Sequence, residues 1–232
     1  MTLDAMRGGL VVSVQAPPGS PLARPETMSA IARAAELGGA AGIRAEGLDD
    51  VRAIKNAVSV PVIGLVKRDV PGSPVRITPH LDDARALVSA GADVIAIDAT
   101  LRTRSGGMTS HDFIAALAGE LGRPVLGDVD SAEAAMAARA AGADAVATTL
   151  SGYTGDGPAS DKPDLQLVRR LAGELDCPVL AEGRYSTPDD VRSAFEAGAF
   201  AIVVGTAISD PTALTRRLAS AAAPGRARGT PR

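Results

Sequence analysis

Short apolar runs rich in β-branched residues alternate along the chain with alanine-rich stretches whose apolar positions recur at helical spacing, and Gly or Pro punctuates the changes. Eight such pairs are present. The pattern predicts strands over 8–16 (GGLVVSVQA), 41–46 (AGIRAE), 61–67 (PVIGLVK), 93–100 (DVIAIDAT), 124–130 (PVLGDVD), 144–150 (DAVATTL), 178–184 (PVLAEGR) and 201–207 (AIVVGTA). Helices are predicted between them, the clearest being LDDARALVSAG, SAEAAMAARAAG, DLQLVRRLAGEL and TPDDVRSAFEAG. Two phrases repeat every second unit: AGAD or AGAF stands before strands four, six and eight, and PV opens strands three, five and seven. In the first phrase Gly91, Gly142 and Gly198 each end a helix.

Eight strands with crossover helices in about 200 to 250 residues predict an α/β fold of the (β/α)8 TIM-barrel type. A doubly wound open sheet is the alternative, but eight strands are many for it and no G-x-G-x-x-G follows the first strand. At 232 residues and 46% hydrophobic composition the chain has material for one sizeable core, so residues 1–223 are expected to form one domain. Residues 224–232, basic and rich in Pro and Gly, are expected to be a disordered tail. Arg7 followed by GGLVVSVQA has the order of a signal peptide, yet Ser13 and Gln15 interrupt a β-branched run, which suits a strand better. No stretch approaches the roughly 20 apolar residues of a membrane span.

A net charge of -3, 2% aromatic residues and no Trp leave neither a phosphate-backbone footprint nor stacking platforms, so nucleic acid is not an expected partner. The single cysteine, Cys177, rules out an internal disulfide framework and fits a reducing compartment, the cytosol; beside Pro178 it reads as a small buried hydrophobe.

In a barrel of this type chemistry sits at the C-terminal ends of the strands. Residues two apart share a face of a strand. Lys67 lies six residues after Pro61, Asp128 four after Pro124 and Glu182 four after Pro178, all even offsets, so one lysine and two carboxylates are expected at the same barrel mouth. Asp130 and Arg184 continue that phase, and Gln15 and Arg44 end strands one and two. A desolvated lysine can act as a base or form a Schiff base, and nearby acids can exchange protons, which points to carbonyl or enol chemistry. The loops after strands seven and eight offer Gly183, Gly205 and Thr206 for close backbone approach to a phosphate, with Arg184 for charge. His80 and His111 lack a second ligand at helical spacing and read as surface or cap residues, so no metal is expected. The polar, glycine-rich segment 151–164, with Pro158 and Pro163, reads as a long loop with the position of a lid.

At these strand ends the chain resembles the bacterial N-acetylmannosamine-6-phosphate 2-epimerases, the NanE family of sialic acid breakdown. The resemblance runs from about Gly8 to Thr215 and is carried by VSVQA, GIRAEG, GLVKRD, ITP, DVIAIDAT followed by RTR, GDVD, TTLSGYT, LAEGR and VVGTAI, in family order and spacing. It implies a (β/α)8 barrel that interconverts N-acetylmannosamine 6-phosphate and N-acetylglucosamine 6-phosphate with no metal or organic cofactor, in a homodimer. It places the family lysine on Lys67 and the family glutamate on Glu182, both catalytic, with Asp128, Gln15 and Arg44 positioning substrate and Gly183, Arg184, Gly205 and Thr206 near the phosphate. Three segments depart: Ile208, Ser209 and Asp210 stand where relatives read ITR, and ITPH (77–80) and RTRSGG (102–107) differ from ITPT and R-x-R-P-D-G. Lys67 would serve a Schiff-base aldolase equally well, and the altered segment after strand eight would suit a sugar-phosphate-binding protein without turnover.

Overall fold

The computed structural model describes residues 2–17, 19–155 and 161–222. Pro158 of the long loop and the tail 224–232 lie outside them. Eight parallel strands close into a barrel in sequence order: β1 Leu10–Val14, β2 Gly42–Glu46, β3 Val62–Leu65, β4 Val94–Asp98, β5 Val125–Asp128, β6 Ala145–Ala147, β7 Val179–Glu182 and β8 Ala201–Val204. β1 closes against β8 through Leu10↔Ile202, Val11↔Val203 and Val12↔Val204. All eight predicted strands are present, each shorter than the apolar run that announced it. The outer ring is α1 Pro25–Leu37, α2 Leu48–Ala57, α3 Leu81–Ser89, α4 Ser110–Ala118, α5 Ala132–Ala140, α6 Leu165–Glu174 and α7 Pro188–Glu196, followed after β8 by α8 Thr206–Ser209 and α9 Pro211–Ala222. Among the described residues no helix is long and apolar enough to cross a membrane.

The two repeated phrases have separate structural jobs. Gly91, Gly142 and Gly198 take φ of 98°, 108° and 98°, the left-handed region that glycine enters without a Cβ penalty. Each gives a double helix-ending bond, as in Gly91 N–H to Val88 O (3.0 Å) and Ala92 N–H to Leu87 O (3.1 Å). Gly39, before β2, does the same with φ 96° and bonds to Glu36 and, through Ala40, to Ala35, so every even-numbered strand follows this device. The prolines that open β3, β5 and β7 contribute only an acceptor, each receiving a neighbouring strand's N–H at 2.9–3.1 Å. The aspartate of AGAD then caps the next N–H on two of these strands: Asp93 accepts from Val62 and Asp144 from Val125.

Strand alternation sorts the core into two layers. Ile63, Leu65, Val94, Ala96, Leu126, Ala147, Leu180 and Val203 fill the barrel interior, with Met6 plugging its N-terminal end. The alternate residues, Ile43, Val62, Ile95, Val125, Val146 and Val179, pack outward against the helices. Interior side chains therefore turn polar only at the C-terminal mouth, as the even offsets predicted. Cys177 is free and half-buried rather than fully buried, beside a cavity of about 540 Å³ at the opposite end of the barrel.

At Gly198 a Cβ would lie 2.8 Å from the Ala172 Cβ and sit on a left-handed backbone, so Gly198→Ala is expected to cost about 1–3 kcal/mol in urea unfolding. Gly119, with φ -85° and nothing within 4 Å of an added Cβ, is the control, and Gly119→Ala should be neutral or stabilising.

Candidate active site

The polar mouth is organised by Arg44, which is 1% exposed on β2. Its guanidinium donates to Asp128 through both terminal nitrogens, Nη1 to Oδ1 at 2.9 Å and Nη2 to Oδ2 at 2.6 Å. Nη1 also lies 3.0 Å from Glu182 Oε2. Burial works against the charge of Arg44, but Asp128 and Glu182 more than offset it, and its pKa ends above the ordinary arginine value. Thr149, just beyond β6, places its Oγ1 2.6 Å from Asp128 Oδ1 and 3.0 Å from Glu182 Oε2. Thr148 holds the Glu182 backbone at both ends, donating to its carbonyl (2.9 Å) and accepting its N–H (3.0 Å). Burial pushes the Glu182 carboxyl above the ordinary glutamate value; the charge of Arg44 pulls the other way, and Asp128 adds to the rise.

Lys67 stands on the opposite wall, two residues past the end of β3, where it bridges to Ile77 of the returning loop. Its Nζ donates to Gln15 Oε1 at 2.6 Å and lies 3.7 Å from Glu46 Oε2. Gln15 in turn donates to Ser13 Oγ at 2.8 Å, which fixes its carbonyl toward the lysine. The side chain of Lys67 is 40% exposed, against 15% for Glu182, so the expected desolvated lysine is solvated in this open pocket while the glutamate is the drier group.

A cavity of about 960 Å³ opens above these residues, and Gln15, Arg44, Lys67, Glu182, Gly183, Arg184, Gly205 and Thr206 all line it. Asp128 lies below its surface at 0% exposure and reaches the cavity through Arg44 and Thr149. Contrary to its strand phase, Asp130 is not among the cavity-lining residues, and Arg184 lines the cavity with its guanidinium engaged by the neighbouring loop. Gly183 and Arg184 both have positive φ (113° and 64°), which ends the alternation and turns the arginine toward that loop. Its guanidinium donates to Ser151 O (2.8 Å) and Lys162 O (2.7 Å) and lies over the Tyr153 ring, while Asp130 accepts from Thr154 at 2.5 Å. These two residues tie down the described ends of the 151–164 loop.

The departing segments have local roles. Ser209 is buried and donates to Ser13 O at 2.7 Å, and Asp210 accepts the Ala213 N–H at the start of α9. Arg102 pairs with buried Asp98 at 2.7 Å, and Arg104 stacks on Phe113 at 3.8 Å. His80 leads into α3, its N–H bonded to Asp83, and exposed His111 lies beside Asp112. Two mouth residues escaped the sequence reading: Glu46, in phase with Arg44 two residues on, and Thr149, within the TTL that ends the sixth apolar run.

The fold and the site together define a (β/α)8 barrel with a cluster of paired ionisable side chains at the C-terminal ends of its strands. The chain belongs to the NanE family: residues 28–223 match the family model described as "Putative N-acetylmannosamine-6-phosphate epimerase". It is 49% identical over 215 residues to a "Putative N-acetylmannosamine-6-phosphate 2-epimerase" of Cutibacterium acnes, covering 92% of this chain and 93% of that protein. A protein of the same description from Klebsiella pneumoniae is 48% identical over 202 residues, 87% of this chain and 84% of that one. The solved N-acetylmannosamine-6-phosphate 2-epimerase from Clostridium perfringens superposes with a TM-score of 0.91 at 37% identity, covering 95% of this chain and 96% of that one. A thiamine phosphate pyrophosphorylase from Pyrococcus furiosus, TM-score 0.62 at 17% identity, shares the fold alone.

The raised pKa of Glu182 makes a statement about stability. Between the ordinary glutamate value and its own, the folded protein binds a proton that the unfolded chain has released, so this group's contribution falls as pH rises through that window. Glu182→Gln removes the slope. The difference in melting temperature should move in the variant's favour as pH rises from about 4 to about 8, and a difference constant with pH would contradict the assignment.

Proposed function

We propose that this protein is an isomerase that interconverts N-acetyl-D-mannosamine 6-phosphate and N-acetyl-D-glucosamine 6-phosphate, the N-acylglucosamine-6-phosphate 2-epimerase reaction, in the sialic acid breakdown of the cytosol. Membership of the epimerase family supports the reaction, and one observation carries the residue assignment: a lysine and a dry carboxyl face one cavity whose far wall offers the backbone at Gly183, Gly205 and Thr206. Inversion at C2 needs ring opening, so that the C1 carbonyl acidifies the C2 proton, then removal of that proton from one face and return to the other. Glu182 gives its proton to the ring oxygen as the 1-hydroxyl passes its own to solvent, which restores the proton of Glu182. Lys67, as the free amine, takes the C2 proton and becomes the ammonium, and Glu182 gives its proton to the enolate from the opposite face. The ammonium then returns its proton through solvent to the Glu182 carboxylate. Gln15 and Glu46 hold the lysine, and Arg44 with Asp128 beneath it steadies the negative charge.

Asp210 is engaged as the cap of α9 and offers no cation for the phosphate. Arg217, on the same face of that helix, lines the cavity and takes that role. In deuterated water the product should carry deuterium at C2. Lys67→Ala should lose roughly 10²- to 10⁴-fold in kcat, and borohydride with substrate should leave wild type active. An imine trapped on Lys67 would favour the aldolase reading instead. Melting-point stabilisation by both sugar phosphates without interconversion would favour a binding protein.

The homodimer belongs to the same proposal. α9 buries no residue of its own, every position from Thr215 to Ala222 is exposed, and Leu218 is 67% exposed, which leaves an apolar helix side for a second copy to cover. Light scattering should give twice the 23.4 kDa chain mass, and Leu218→Glu should shift it toward the monomer.

A further inference from the structure

The contacts of Thr149 constrain where one proton resides. Its hydroxyl oxygen is within hydrogen-bonding distance of both Asp128 Oδ1 (2.6 Å) and Glu182 Oε2 (3.0 Å). A hydroxyl has one proton to donate and lone pairs with which to accept. If both carboxyls were ionised, Thr149 would serve one and face the other lone pair to lone pair, with Arg44 as the cation in contact with both. Asp128 takes both terminal nitrogens of Arg44 in a two-pronged contact, the geometry in which a carboxylate accepts from a guanidinium. Glu182 has one Arg44 contact and is the partner free to keep a proton.

We propose that Thr149 is a positioning residue acting through Glu182: in the free protein it accepts the proton of the Glu182 carboxylic acid and donates its own to Asp128. When Glu182 gives its proton to the sugar, rotation about Cβ–Oγ1 turns the hydroxyl from Asp128 to the new Glu182 carboxylate. Thr149 keeps its proton throughout, and Asp128 retains both nitrogens of Arg44. The charged groups facing Glu182 are Arg44 from β2, Lys67 from beyond β3 and Asp128 from β5. β6 is followed by the Thr149 hydroxyl, and β8 sets apolar Val203 in register with Glu182. The catalytic consequence rests on the epimerase reading; the proton arrangement does not.

The test is a ¹³C NMR titration of glutamate-labelled protein, with the Glu182 carboxyl assigned by its loss in Glu182→Gln, for wild type, Thr149→Val and Thr149→Ser. In wild type the signal should titrate above the ordinary glutamate range. Bonds to a carboxylate are about twice as strong as neutral ones, so losing the donor raises the midpoint further, by roughly one pH unit in Thr149→Val. Serine should restore it. With N-acetylmannosamine 6-phosphate, valine should lower kcat roughly 10- to 100-fold with little change in KM, move the acid-group limb of the pH profile in step with the NMR midpoint, and be rescued by serine. Thr149→Ala replaces valine if the latter does not fold. A Glu182 midpoint in the ordinary range in wild type, or one that is the same in all variants, would overturn the inference. A wild type that fails to turn over but shows the shifted, Thr149-dependent midpoint would sink the epimerase reading and leave the proton arrangement standing.

Discussion

One buried guanidinium balances the mouth of this barrel. Arg44 carries a single positive charge in a layer where Asp128 and Glu182 are both within 3.0 Å of it, and neither carboxyl has full access to water. Removing one partner of such a buried pair typically costs about 3–5 kcal/mol, because the survivor is left unpaired. Here the geometry is asymmetric. Asp128 takes the two-pronged contact and Glu182 the single one, so the two acids differ in how firmly each is held ionised. That difference leaves one carboxyl pinned through both oxygens and one pinned through a single oxygen, the asymmetry on which the proposed proton exchange at Glu182 rests.

Two devices in the barrel deliver the cluster. Left-handed glycines end α1, α3, α5 and α7 with two residues between each glycine and the next strand, and the Pro-opened strands between them start in matching phase. With starting points fixed, alternation along each strand carries Ile63 and Leu65 to Lys67, Leu126 to Asp128 and Leu180 to Glu182. The interior below is filled by aliphatic side chains and plugged by Met6, so polar groups at the third layer have neighbouring strands on either side and open only upward.

This explains which parts were legible in the sequence. Strand phase read from Pro61, Pro124 and Pro178 placed Asp128 and Glu182 correctly, because both lie within regular strand. Lys67 falls two residues past its strand and is positioned by a bridge to Ile77, a long-range contact that no local pattern announces. Asp130 was misread for a related reason, since the loop after β6 supplies Thr154 to it, and Arg184 reaches the cavity edge through positive φ at Gly183 and Arg184, not through strand alternation. The threonine at 149 carried no charge to attract notice, and its meaning appears only when β5 and β7 bring their carboxyls to either side of it. Glu46 was in plain phase with Arg44 and could have been found by the same rule that found the others.

The cavity sets two candidate proton carriers in unlike surroundings. Lys67 is held by a neutral amide and a half-exposed carboxylate in contact with water, whereas Glu182 sits deeper against a fixed anion and a cation. A ligand filling the 960 Å³ space would cover the lysine far more than the glutamate, since the glutamate is already largely covered. Occupancy would therefore change the solvation of Lys67 most. On the proposed mechanism the fold itself covers the acid, Glu182, and the bound substrate completes the cover over the base, Lys67.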